Sequence, residues 1–133
     1  MRVAIFSDTY VPQINGVSLT LKRATDYLDK QQIPFRLFAP AYGEPVEPRD
    51  TRVYRMPSIP FPVYPECRLA WARAEHVDEL MQCFAPHLVH LVTPFSIGLA
   101  GLRWALQNDI PILASFHTNF VEYLAYYHAS FLG

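Results

Sequence analysis

The sequence predicts an α/β domain with a doubly wound parallel sheet of about five strands. Three observations predict it. Short apolar runs of strand length recur along the chain. Segments of ten or more residues with helical spacing lie between most of them. The apolar runs are nearly continuous rather than alternating, as in strands buried on both faces of a parallel sheet. Right-handed crossovers then make the doubly wound arrangement the default.

Each element has its own signal. Residues 2 to 7 (Arg-Val-Ala-Ile-Phe-Ser) read as a buried strand, followed by a loop from Asp8 to Asn15. A helix begins at Gly16, with Val17, Leu21, Ala24 and Leu28 on one face and Lys22, Arg23, Asp26, Asp29 and Lys30 on the other. Pro34 opens a second strand, Phe35 to Ala39. Residues 40 to 65 hold seven of the twelve prolines, so they read as an irregular stretch broken by one short strand, Arg52 to Met56. Ala74, Val77, Leu80, Met81 and Phe84 mark a helix from about Leu69 to Phe84. His87 to Val92 is a fourth strand. Thr93-Pro94 signals a helix start, a Thr cap before Pro. The helix from Phe95 to Asn108 carries only Arg103 as a charge and is expected to be buried on most sides. Pro111 precedes a fifth strand, Ile112 to Phe116, and Phe120, Tyr123, Leu124, Tyr127 and Phe131 recur at helical spacing after it.

Composition narrows the function. With 133 residues there is room for one domain. Hydrophobic residues at 51% against 17% charged mark a folded chain, not a disordered one. Eleven Lys+Arg against twelve Asp+Glu leave a net charge of -1, which gives no field to draw the protein to nucleic acid. Two cysteines, Cys67 and Cys83, make no disulfide scaffold and read as reduced thiols of a cytoplasmic protein. The opening apolar run, Val3 to Phe6, is too short for a signal peptide. Residues 84 to 102 lack any Asp, Glu, Lys or Arg, but Pro86, His87, His90 and Pro94 interrupt them, so a strand and a buried helix explain the run better than a membrane span.

In an open parallel sheet, ligands sit beyond the carboxyl ends of the strands. Residues 8 to 16, 93 to 96 and 117 to 119 fall there. Gly16 opens a helix, where backbone N–H groups can meet a phosphate; the plainer reading of Asn15-Gly16 is a cap and turn. Neither G-x-G-x-x-G nor Gly-Lys-Ser/Thr is present. His117 ends the fifth strand, and either serves a substrate hydroxyl or bonds local backbone. His87 and His90 lie three apart on a strand, so they form no metal pair, and His90 reads as bonded to its neighbours. Arg49, Arg52 and Arg55 read as a solvated rim.

Three segments carry a family resemblance. Met1 to Val17, with Phe6-Ser7-Asp8-Thr9-Tyr10-Val11-Pro12-Gln13-Ile14-Asn15-Gly16-Val17, resembles the opening of family-4 glycosyltransferases of the GT-B fold, in the subgroup that glycosylates lipids and mannosylates glycolipids. Leu88 to Ser96 resembles that family's fourth-strand motif, and Pro111 to Phe120 its fifth strand with the His-Thr ending. Val92 departs from the pattern, since many relatives carry a second histidine there.

The resemblance implies two Rossmann-like domains facing across a cleft. The first, matching residues 1–133, binds the acceptor; the second binds a sugar nucleotide such as UDP- or GDP-hexose through basic residues and a Glu-x7-Glu motif. Carried over by position, Gly16 approaches the donor diphosphate with Asn15 and Asn119 beside it. His117 touches the transferred sugar, and Asp8 and Tyr10 line the acceptor side. The resemblance implies retention of anomeric configuration and no bound metal or cofactor. Glu44, Glu47, Glu66, Glu75, Glu79 and Glu122 include no pair eight apart, so the donor-binding half is expected outside this chain, which by itself is expected to be inactive. The stripe Phe120, Tyr123, Tyr127, Phe131 has two readings. Packing against the missing domain is preferred, because residues 118 to 133 contain no Lys or Arg; contact with the cytoplasmic membrane face is the other.

Rival classes lack their motifs. A metallophosphoesterase needs Asp-x-His at the end of the first strand, and Tyr10 stands there. A flavodoxin-like binding module needs a Ser/Thr/Gly-rich first loop, where this chain has Pro12, Gln13 and Ile14. A degenerate half-domain that only binds a partner remains as the non-enzymatic alternative.

Overall fold

A computed structural model describes residues 1–43, 49–63, 65 and 67–115. Five strands form one parallel sheet in the order β3-β2-β1-β6-β7: β1 (Val3–Phe6), β2 (Phe35–Pro40), β3 (Val53–Met56), β6 (Leu88–Leu91) and β7 (Ile112–Ala114). The expected doubly wound parallel sheet is therefore present. Strands β4 (Ser58–Pro60) and β5 (Arg68–Ala70) form a separate antiparallel pair. The helices are α1 (Gly16–Lys30), α2 (Ala74–Phe84) and α3 (Ser96–Gln107).

The apolar sequence of β1 puts it at the centre, between β2 and β6, with all four residues buried. Alternate side chains serve opposite faces. Ala4 and Phe6 pack with Phe38 under Val77, Met81 and Phe84 of α2 and Ile97, Trp104 and Ala105 of α3. Val3 and Ile5 pack with Phe35 and Leu37 under Val17 and Leu21 of α1. Phe6 stacks flat on Phe38, with ring centroids 4.5 Å apart. Each of these large side chains contributes roughly 1.5–3 kcal/mol by leaving water.

The chain runs outward from β1 to β2 and β3, then returns to the far side of β1 for β6. The switch point thus lies between β1 and β6, the place where such sheets hold ligands.

Three local readings change. Residues 68 to 70 pair with 58 to 60 instead of opening the second helix, so α2 starts at Ala74. Good helix formers lose here to a strand partner that the sequence does not reveal. The α3 helix is buried along one side only, through Ile97, Gly98, Gly101, Trp104 and Ala105, while Leu99 and Leu106 are exposed. Thr25 of α1 is buried and Leu28 only half-buried, because the Tyr10 hydroxyl meets Thr25 Oγ1 at 3.2 Å.

Candidate functional site at the carboxyl end of the sheet

The loop after β1 ends in a capped helix. Asn15 is extended and its Oδ1 accepts from Ser18 N at 2.8 Å; Ser18 Oγ accepts from Asn15 N at 3.1 Å. This reciprocal capping box supports the cap reading of Asn15. It also leaves the next residue open. Gly16 is exposed, its φ is not positive, and a Cβ built on it meets no atom within 4 Å. The fold itself therefore has no need of glycine at this position.

Asp8 takes a different place. It is fully buried, and its carboxylate accepts four hydrogen bonds: from Thr93 Oγ1 (2.7 Å), Ser96 Oγ (2.7 Å), Ile97 N (2.5 Å) and Gly98 N (3.2 Å). Phe95, the residue preceding α3, gives that helix no side-chain cap. Asp8 caps it from across the sheet, and its charge faces the positive end of the helix dipole. Burial pushes the Asp8 carboxyl above its ordinary range, and the four hydrogen bonds oppose that rise. The Thr93 hydroxyl, read as a cap for its own helix, donates to Asp8 instead and accepts from Asp8 N at 2.7 Å. Gly98 permits the close approach, since a Cβ there would lie 1.6 Å from the Thr93 carbonyl oxygen. The anion site at the switch point is thus filled by the chain's own carboxylate.

Tyr10 turns inward too. It packs with Val17, Leu21, Phe35 and Leu37, and its backbone N–H donates to Tyr42 Oη at 3.1 Å. Tyr42 Oη donates to Gln13 Oε1 at 2.9 Å, and Gln13 Nε2 donates to the Pro65 carbonyl at 2.6 Å. Burial pushes the Tyr42 phenol up. Beside these residues lies an open cavity of about 410 Å3, whose lining includes Pro12, Gln13, Tyr42, Phe61 and Arg68.

The arginines divide. Arg52 ion-pairs with Asp50 (3.0 Å) and Asp29 (2.7 Å), and the neighbouring guanidinium holds the Asp50 carboxyl below its ordinary range. Arg55 is not on a solvated rim: it is half-buried with its guanidinium 5.3 Å from the Tyr10 ring centroid, a partner that residue spacing does not show. Burial lowers its pKa, and the group remains a cation at any physiological pH.

Of the residues expected at the site, Asp8, Tyr10, Asn15 and Gly16 all lie on the β1–α1 loop and its helix start. Only Asn15 and Gly16 are at the surface. His117 and Asn119 lie outside the described residues, as does the aromatic stripe from Phe120 to Phe131. His90 bonds Ser115 Oγ at 2.7 Å, as a sheet-end residue. Sequence reading missed Tyr42, Arg68 and Gly98, and it placed Gln13 and Ser96 in the ligand-end segments without giving either a role. The available signal was positional: Tyr42 follows β2 at the ligand end of the sheet. Among the described residues no group of three or more His, Cys, Asp or Glu could hold a metal ion, and no helix is long and apolar enough to cross a membrane.

The fold and its loop ends define a doubly wound α/β domain of the kind that serves nucleotide-dependent enzymes. The profile described as Glycosyltransferase Family 4 matches residues 14–133, and the chain belongs to that family. It is 29% identical over 126 residues to the alpha-monoglucosyldiacylglycerol synthase of Streptococcus pneumoniae, a match covering 95% of this chain and 29% of the relative. It is 32% identical over 124 residues to a GDP-mannose-dependent alpha-mannosyltransferase of Mycolicibacterium smegmatis, covering 90% and 33%. The sulfoquinovosyl transferase of Arabidopsis thaliana is 29% identical over 90 residues, covering 68% and 18%. The chain thus spans about a third or less of the length of these relatives.

Proposed function

We propose that this chain is the acceptor-side domain of a two-domain glycosyltransferase. The whole enzyme moves a hexosyl group from a sugar nucleotide to a hydroxyl of a lipid or glycolipid acceptor. Gly16 carries the reading: a helix-opening glycine, exposed and unobstructed, that neither backbone conformation nor packing requires. A diphosphate brought against the first turn of α1 supplies a reason, since glycine lets a phosphate come close to the backbone N–H groups there. The names of two relatives, one a synthase of monoglucosyldiacylglycerol and one a GDP-mannose-dependent mannosyltransferase, support the choice of acceptor and donor. Asn119 and His117 are assigned to the donor diphosphate and the transferred sugar's hydroxyls on the resemblance of Pro111 to Phe120. Asp8 and Tyr10 act on the acceptor side through the loop they anchor.

The domain is proposed to need its partner half. A helix N-terminus contributes roughly 0.3–1 kcal/mol to an anion, up to about 2 when partly buried. Micromolar donor binding needs about 8 kcal/mol. Basic groups on a second domain make up the difference. The reaction is proposed to run without a resident metal, and the enzyme to work at the cytoplasmic face of a membrane that holds its acceptor. The test compares a complete protein containing this chain with residues 1–133 alone, each given UDP-glucose or GDP-mannose and either diacylglycerol or a diacylglycerol glycolipid in vesicles. Transfer by the complete protein and none by the isolated chain is expected. Donor-dependent turnover by residues 1–133 alone would overturn the two-half reading, and no transfer by either would overturn the assignment of donor and acceptor.

A further inference from the structure

Resting on that acceptor-side reading, we propose that the cavity beside Arg68 takes a compact oxyanion, a phosphate, sulfonate or carboxylate, carried by the acceptor. The cavity, about 410 Å3, is walled by Pro12, Phe61 and Pro65, with Gln13 and Tyr42 along it; Arg68 is the one charged group in its described lining. The Arg68 guanidinium is held in place. Its Nε donates to Ser58 Oγ at 2.7 Å, one terminal nitrogen donates to Ser58 O at 3.3 Å, and its centre lies 5.1 Å from the Tyr42 ring centroid. Two of the five guanidinium N–H donors are thereby used, and the remainder face no acceptor among the described residues.

What sets Arg68 apart is its position, not its lack of an ion pair. Arg52 pairs with Asp29 and Asp50, and Lys22 pairs with Asp26, while the other Lys and Arg residues show no ion pair among the described residues. Arg68 and Arg55 have no carboxylate partner among the described residues, and their guanidinium carbons lie 5.1 and 6.0 Å from the one Tyr42 ring centroid. Arg68 gives the cavity its positive end, and Arg55, outside the described lining, stands 6.0 Å from the same phenol ring. A guanidinium already fixed in place loses little freedom on binding, and its planar fork suits an oxyanion.

The same contacts tie this cavity to the donor side. Gln13 Oε1 accepts from Tyr42 Oη at 2.9 Å and from Thr9 Oγ1 at 3.3 Å, and Gln13 Nε2 holds the Pro65 carbonyl at 2.6 Å. Gln13 stands on the loop that ends at Gly16. An acceptor anchored at Arg68 is therefore placed by the loop that presents Gly16 to the donor. One guanidinium beside proline and phenylalanine walls suits a single charge on an organic body rather than a diphosphate.

The experiment follows arginine Nε–H resonances of the chain during titration with inorganic phosphate. A saturable shift at Arg68 is expected, with Arg52 unmoved; Arg68→Gln and Arg68→Lys lack that resonance, and in them the phosphate affinity read at the Gln13 side-chain NH2, in the same cavity, should fall at least tenfold and by less, respectively. No saturable shift at Arg68 in the unaltered chain, or equal shifts at Arg2 and Arg36, overturns the site whether or not the variants fold. Competition separates the sources of the anion. Glycerol 3-phosphate should displace phosphate from Arg68; displacement by GDP but not by glycerol 3-phosphate would assign the cavity to the donor and overturn the acceptor claim. Sugar transfer by a complete protein is scored separately. Transfer with no phosphate shift sinks only this site, whereas a shift without transfer sinks the transferase reading.

Discussion

Replacing Asp8 with alanine removes the cap on which the switch point is built. Four donors lose their acceptor at once: the hydroxyls of Thr93 and Ser96 and the N–H groups of Ile97 and Gly98. Hydrogen bonds to a charged group contribute about 1.5–3 kcal/mol each, which would sum to roughly 6–12. Two effects reduce that sum. The hydroxyls rotate toward water entering the carboxylate-sized hole, and the cost of burying the charge, visible in the raised Asp8 carboxyl, is recovered. Losing one member of a buried charged network costs about 3–5 kcal/mol, and about 4 is expected here. With a urea slope of about 2 kcal/mol/M the unfolding midpoint falls by about 2 M. Asp8→Asn keeps the shape but turns an NH2 group toward donors, so a loss of roughly half that size is expected. Circular dichroism in urea measures both variants, and hydrogen exchange at the Ile97 and Gly98 amides locates the damage. A change under about 1 kcal/mol, with those two amides still protected, would refute the idea that Asp8 caps α3.

Other expectations follow from the same geometry. Gly98→Ala places a Cβ 1.6 Å from the Thr93 carbonyl oxygen, so α3 must back away from Asp8, and a loss approaching that of Asp8→Ala is expected in the same urea assay. Gly101→Ala meets the buried Phe6 ring at 2.4 Å and should cost about 1–3 kcal/mol by overpacking. Gly16→Ala should raise stability by up to about 1 kcal/mol while weakening sugar-nucleotide binding by a complete enzyme; calorimetry that found donor affinity unchanged would remove Gly16 from the site. Asp50 titrates low because Arg52 bonds its ionised form. Its contribution to stability is present above the unfolded value and is lost as pH falls through the lowered folded one. In Arg52→Gln, NMR titration should show Asp50 back in the ordinary carboxylate range. Chelator should leave the transfer rate of the complete enzyme unchanged.

How much was legible depends on the range of the interaction. The parallel strands, the helix opened by Gly16 and the two described loops at the ligand end, after β1 and β6, follow from local pattern, because side-chain period and strand ends are written into neighbouring residues. The Asn15 cap was equally local, its partner being Ser18. The β4–β5 pair was not, since Ile59 and Leu69 face each other across an irregular, proline-rich loop. Arg55 looked like a surface charge and Arg68 drew no reading, because what singles them out, the rings of Tyr10 and Tyr42, comes from other loops.

Sequence by itself determined the α/β class, the all-parallel order of burial and the family resemblance, all properties of short apolar runs and contiguous motifs. Tertiary structure alone decided what the polar residues do. Asp8 and its donors Thr93, Ser96, Ile97 and Gly98 are 85 to 90 positions apart in the chain, yet meet within 3.2 Å. Nothing near Asp8 in sequence says whether its carboxylate awaits a substrate or closes a helix. Only the placement of β6 beside β1, with α3 starting over the switch point, gives it four donors and leaves Gly16 and Arg68 facing outward.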